Sequence, residues 1–98
     1  MNLTSAEIER LAILAEECGE VIQIVGKILR HGYESKNPLD PNSETNRQML
    51  ERELGDLSFI INFCASKEDV NLMSVKHSYD KKQSKIGNYL HHNTVSNG

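Results

Sequence analysis

Apolar residues recur at helical spacing in three stretches of the chain, and turn-forming residues separate them. Residues 5 to 31 hold the first stretch, free of proline, with Ser5 placed to cap its start and Ile8 as its first core position. Gly32, after Arg30 and His31, is a natural stop. The next ten residues or so contain both prolines and most of the turn formers, which predicts a loop with room for a helical turn. Asn42 or Ser43 then opens a second stretch that runs to about Ala65. After a break at "SKEDVN", a third, shorter stretch covers roughly Leu72 to Leu90. No alternation of β-branched residues bounded by turns is present, so the pattern predicts no strand. The expectation is an all-α fold: a helical bundle of two long helices and a shorter C-terminal one, completed by oligomerisation. A single domain over residues 1–90 and a flexible tail over 91–98 are expected.

The pattern is interrupted at one point in each long helix. On a wheel of the first stretch, Leu11, Leu14, Ala15, Cys18, Val21, Ile22, Val25, Ile28 and Leu29 cover one broad arc. Glu16, Glu17 and Glu20 fall in the remaining sector, yet Ile13 and Ile24 share it, which points to a helix covered on nearly all sides and to acids facing an enclosed polar space. In the second stretch, Leu50, Leu54, Leu57, Ile61 and Cys64 make the expected core stripe. Glu53 and Asp56, three apart and so on one face, lie at its edge with Ile60 and Phe63. Gly55 between them suggests the close approach of another backbone, because a helical glycine costs about 1 kcal/mol.

Five acids on two helices that must pack together raise a problem of charge. Glu16 and Glu20 are four apart and repel each other, and the repulsion grows as water is excluded. A divalent cation removes it, and several hard carboxylate oxygens are the ligand type Mg²⁺ prefers. A lone ExxE or ExxD is ordinarily surface charge; two such groups on covered faces of partner helices make a metal site the better reading. Composition narrows the remaining classes. With 98 residues the core is small for a lone chain, so partner copies are expected. The net charge of −3 and the absence of Trp argue against a nucleic-acid surface. No apolar window is long enough to span a membrane, no secretory pattern opens the chain, and Cys18 and Cys64 read as reduced core thiols. Those features predict a cytoplasmic protein.

The motifs resemble a known family. "EECGE" (Glu16, Glu17, Glu20) reads as EExxE and "ELGD" (Glu53 to Asp56) as ExxD. EExxE, a loop and ExxD is the signature of the all-α nucleoside triphosphate pyrophosphohydrolases, the MazG-like superfamily, and the resemblance covers about residues 5 to 65. It implies Mg²⁺-dependent (Mn²⁺ also suits) cleavage of nucleoside triphosphates between the α and β phosphates, giving a nucleoside monophosphate and pyrophosphate, by a homodimer or homotetramer. Carried over by position, Glu16, Glu17, Glu20, Glu53 and Asp56 would be the metal ligands or the base, with Glu17 and Glu53 the catalytic candidates. The anionic substrate also needs cations. Lys82, then Lys85, are the candidates on the third stretch, where Lys82 falls on the arc of Val75, Tyr79, Ile86 and Leu90; Lys27 is a candidate on the first. Asn46, two turns before Glu53, is placed either to hydrogen-bond a base or sugar or to cap its helix. Two other classes fit less well: a module that binds nucleotide and metal without turnover, and a structural helical oligomer whose acids pair with Lys and Arg.

Overall fold

A computed structural model describes residues 2–95, and all regular structure in it is helical. The described residues divide into two compact units, one ending at Cys64 and the other beginning at Ala65. In the first, α1 spans Ser5–His31 and is joined by a loop to α2, which spans Asn46–Ser66 and runs on into the second unit. The second continues with α3, Leu72–Lys85, followed by a 3-10 turn over Ile86–Tyr89. The expected third helix therefore loses α geometry at Lys85. Residues 91–95 of the expected tail have no regular structure, and the rest of that tail lies outside the described residues.

Thr4, not Ser5, caps α1. Its hydroxyl accepts from the Glu7 N–H (3.1 Å), while the Glu7 carboxylate accepts from the Thr4 N–H (2.7 Å). This reciprocal box needs a glutamate three residues on, which Thr4 has and Ser5 does not. Gly32 ends the helix at φ 88°, a conformation that suits glycine. Thr45 and Gln48 form a second reciprocal pair at the start of α2 (2.9 and 3.1 Å), which begins three to four residues later than the pattern suggests. The proline-containing loop folds back on both helices. The N–H groups of Asn46 and Arg47 donate to the carbonyls of Ser35 (2.9 Å) and Tyr33 (2.8 Å). The Arg47 guanidinium lies 4.3 Å above the Tyr33 ring and bonds Glu34 at 2.7 Å.

The buried positions of each long helix follow a line that repeats every seven residues, a step that returns to within about 20° of the same direction. On α2 the line is Asn46, Glu53 and Ile60, all buried, with Cys64 beside them. On α1 it is Arg10 and Glu17, both partly buried, and Ile24, fully buried. The acids thus stand in the middle of the buried lines, and the expected core stripe of α2 is rotated: Leu54 is 44% exposed while Ile60 is 1% exposed. Gly55, away from that line, meets no other backbone.

The broad apolar arc of α1 is largely open in the single chain. Ile8, Leu11, Ile22, Val25 and Leu29 are exposed, as is Cys18, so the expectation of core burial holds for Cys64 and fails for Cys18. Ile13 is exposed too, so α1 is not covered on all sides. In the second unit the Asn71 side chain caps α3 by accepting from the N–H groups of Met73 (2.9 Å) and Ser74 (3.1 Å). Every residue of α3 except Gln83 is exposed, including Lys82, which was expected to face inward. Val75 and Tyr79 are exposed as well, so the arc that would have buried it is largely open among the described residues of its own unit. Among the described residues no helix is long and apolar enough to cross a membrane.

Candidate metal centre

The seven-residue lines bring carboxylates of α1 and α2 together. Glu17 and Glu20 from α1 and Glu53 from α2 each present an oxygen, and these oxygens lie within 4.8 Å of one another. Glu53 is 7% exposed, and the other two are partly buried. One oxygen of Glu53, Oε1, accepts from the Arg52 guanidinium at 3.0 Å, and Arg52 is itself held by Glu44 at 3.1 Å. The other, Oε2, is buried with no hydrogen-bond partner, and so is Oε2 of Glu17. A buried anionic oxygen without a partner is costly, and two of them on carboxylates that meet this closely suit a positive ligand.

The electrostatics agree. Glu20 is pushed up to about 7, first by a hydrogen bond with Glu53 and then by the Glu53 charge, by burial and by the charges of Glu17 and Glu16. Glu17 is also raised, first by burial and then by the charges of Asp56, Glu53 and Glu16. Glu16 and Asp56 are exposed and stand outside the three-oxygen group, but near enough for their charges to act on it. A divalent cation with hard oxygen preferences fits this donor set: it would satisfy the orphaned oxygens and displace the proton that a raised Glu20 holds.

A cleft of about 340 Å³ opens beside the cluster, walled by Glu20, Ile24 and Glu53 and by the cations Lys27 and Arg30. Lys27 therefore lies next to the acids. Lys82 and Lys85 lie in the second unit, where they line a shallow concavity of about 350 Å³ with Lys81 and Tyr89. Asn46 is 4% exposed, and its side-chain amide donates to the Gly32 carbonyl at 3.1 Å, so it ties the end of α1 to the start of α2. That is neither the helix cap nor the free ligand donor the sequence suggests.

Arg52 is the contact that sequence reasoning missed. Neighbours in a helix point apart, so the adjacency of Arg52 and Glu53 carries no signal. The usable hint is the long side chain, flanked by Glu44 eight residues earlier.

No curated protein and no solved structure shows significant similarity to the chain. The family model of the MazG nucleotide pyrophosphohydrolase domain, however, matches residues 6–88. That match takes in α1, α2 and α3, the helices that carry the three carboxylates among them. With most of its length matched and its helices in place, the chain belongs to the MazG nucleotide pyrophosphohydrolase domain family.

Proposed function

We propose that this protein hydrolyses nucleoside triphosphates between the α and β phosphates, releasing a nucleoside monophosphate and pyrophosphate, with Mg²⁺ as its ion and Mn²⁺ as a substitute. The observation that carries the proposal is the meeting of the Glu17, Glu20 and Glu53 carboxylates from two helices, with a buried, unpartnered oxygen on both Glu17 and Glu53, at the EExxE and ExxD motifs within the matched residues. Glu17, Glu20 and Glu53 would hold the ion, with Glu16 and Asp56 supplying further oxygens from the rim. When bound, such an ion neutralises the triphosphate and polarises the phosphorus under attack.

The chain's own groups do the rest. Glu20, whose carboxyl is raised in the metal-free chain, would lose its proton on serving as a ligand. Arg52 fixes the Glu53 carboxylate by occupying one of its oxygens. Lys27 and Arg30 meet phosphate charge along the cleft. Glu17 would also serve as the base: a water oxygen bonds to one phosphorus of the α–β bridge, the bond from that phosphorus to the bridging oxygen breaks so that monophosphate and pyrophosphate separate, and the water's proton passes to Glu17.

The active form we propose is a homo-oligomer. Ile8, Leu11, Ala15, Cys18, Ile22, Val25 and Leu29 repeat as the a and d positions of a heptad along α1, and all are exposed in the single chain. A second copy is the partner that a self-complementary apolar stripe of this kind fits.

Incubation with each canonical triphosphate and Mg²⁺, followed by separation of products, tests the reaction. Pyrophosphate and monophosphate in equal amounts are expected. Orthophosphate and a diphosphate, or no product with any triphosphate, would overturn the proposal.

A further inference from the structure

The exposed apolar stripe of α1 is symmetric about Cys18. Counting outward from that residue, and to within one position, Ala15 matches Ile22, Leu11 matches Val25 and Ile8 matches Leu29. Cys18 is also the midpoint of the helix, which runs Ser5–His31. A stripe built this way can pair with its own copy about a two-fold axis, each apolar residue meeting another.

Charge sets the direction of the pairing. Glu7 and Glu9 stand near the start of α1, and Lys27, Arg30 and His31 near its end; Arg10 belongs to the buried line on the other side. Head-to-tail pairing about Cys18 brings the acidic end of one copy level with the basic end of the other, and the two helix dipoles oppose each other. Parallel pairing would set like ends together.

Gly19 fits a crossing at this level. It is exposed in the middle of a helix, where glycine costs about 1 kcal/mol relative to alanine. A Cβ there would meet nothing within 4 Å, so packing within the chain gives no reason for the missing side chain. A second helix passing close to the backbone gives one. Ala15, also exposed and one turn before Gly19, keeps the same approach narrow. Glu17 and Glu20 lie round the helix from the stripe, so each copy would keep its own cation site.

We propose that α1 docks head to tail on α1 of a second copy, crossing at Cys18, with the two Cys18 thiols within about a turn of each other. The inference rests on the homo-oligomer reading and gives it a direction and a register.

A short bis-maleimide, which bridges two thiols only when they are close, tests the docking on the full native chain. Cys64 is buried and stays in every variant, so Cys18→Ser reports any linkage through it. The native protein should convert to a covalent dimer, and Cys18→Ser should not. In the Cys18→Ser background, Ile8→Cys and Leu29→Cys should each fail to link to themselves, because like ends stand about 30 Å apart in this arrangement. An equilibrated mixture of those two variants should link. Like ends linking to themselves, or an oligomer in which neither Cys18 nor the mixed ends link, would overturn the docking. Sedimentation equilibrium separates the two claims: an oligomer with the wrong linkage pattern sinks this docking alone, and a single chain sinks the oligomer with it.

Discussion

Glu53 concentrates the chemistry of the site in one side chain. It sits in the buried line of α2, gives one oxygen to Arg52 and leaves the other without a partner. Glu53→Gln keeps the shape and removes the charge, so the variant should fold and lose triphosphate turnover by at least about a hundredfold, the scale of a lost charge-stabilising group; circular dichroism and product analysis check the two halves. Glu20 sets a pH dependence of the metal-free protein. Its acid constant is raised in the folded chain to about 7 from the ordinary 4.5. Between those values the folded state therefore holds more proton than the unfolded one, and stability falls as pH rises through that window. Thermal melts without metal should show the midpoint decreasing from pH 5 to pH 8, Mg²⁺ should reduce the decrease, and Glu20→Gln should remove most of it. A metal-free midpoint that rises over the same range would contradict the raised Glu20 carboxyl. At this scale the sequence was informative about residue type: all three clustered carboxylates belong to the EExxE and ExxD motifs. It was silent on pairing. Spacing along one helix makes Glu16 and Glu20 neighbours, whereas the close partner of Glu20 is Glu53, on another helix.

At the scale of elements, the helices were legible because apolar periodicity and punctuation agree: α1 has the expected bounds, and the break between α2 and α3 falls within "SKEDVN". The ends were less so, since two caps depend on reciprocal side-chain pairs and on a loop that folds back across the start of α2. Which face each helix buries was legible only in part. An unaccompanied wheel favours the widest apolar arc, but α1 turns its acid-bearing side inward and leaves that arc open. Asn46 is the fastener between the long helices. Asn46→Ala would leave the Gly32 carbonyl without its 3.1 Å donor, and urea unfolding should register a loss of about 1–3 kcal/mol. Thr4→Ala, which breaks the capping box of α1, should cost about 1 kcal/mol in the same assay.

For the whole molecule, the exposed stripe of α1 is the feature a single chain does not explain. A helix of 27 residues is about 40 Å long, and the stripe repeats along most of it. Ile22, 71% exposed, and Leu29, 82% exposed, are the most open of its large apolar residues. Replacing both with lysine should shift sedimentation equilibrium from an oligomer to a single chain, because charges facing each other across an apolar seam are costly. An unchanged mass would place the contact elsewhere. Partner copies were an expectation from a short chain with a small core, but which face they would cover was not readable, because an apolar pattern is the same whether a core or a partner covers it.

The claim on which the account turns is that Glu17, Glu20 and Glu53 form one cation site, and titrating the protein with Mg²⁺ while following its melting temperature tests it most directly. The native chain should gain a saturable, concentration-dependent rise in midpoint, as mass action requires of a ligand bound only by the folded state. Glu53→Gln should lose most of that rise. An equal rise in both proteins, or none in either, would contradict the site.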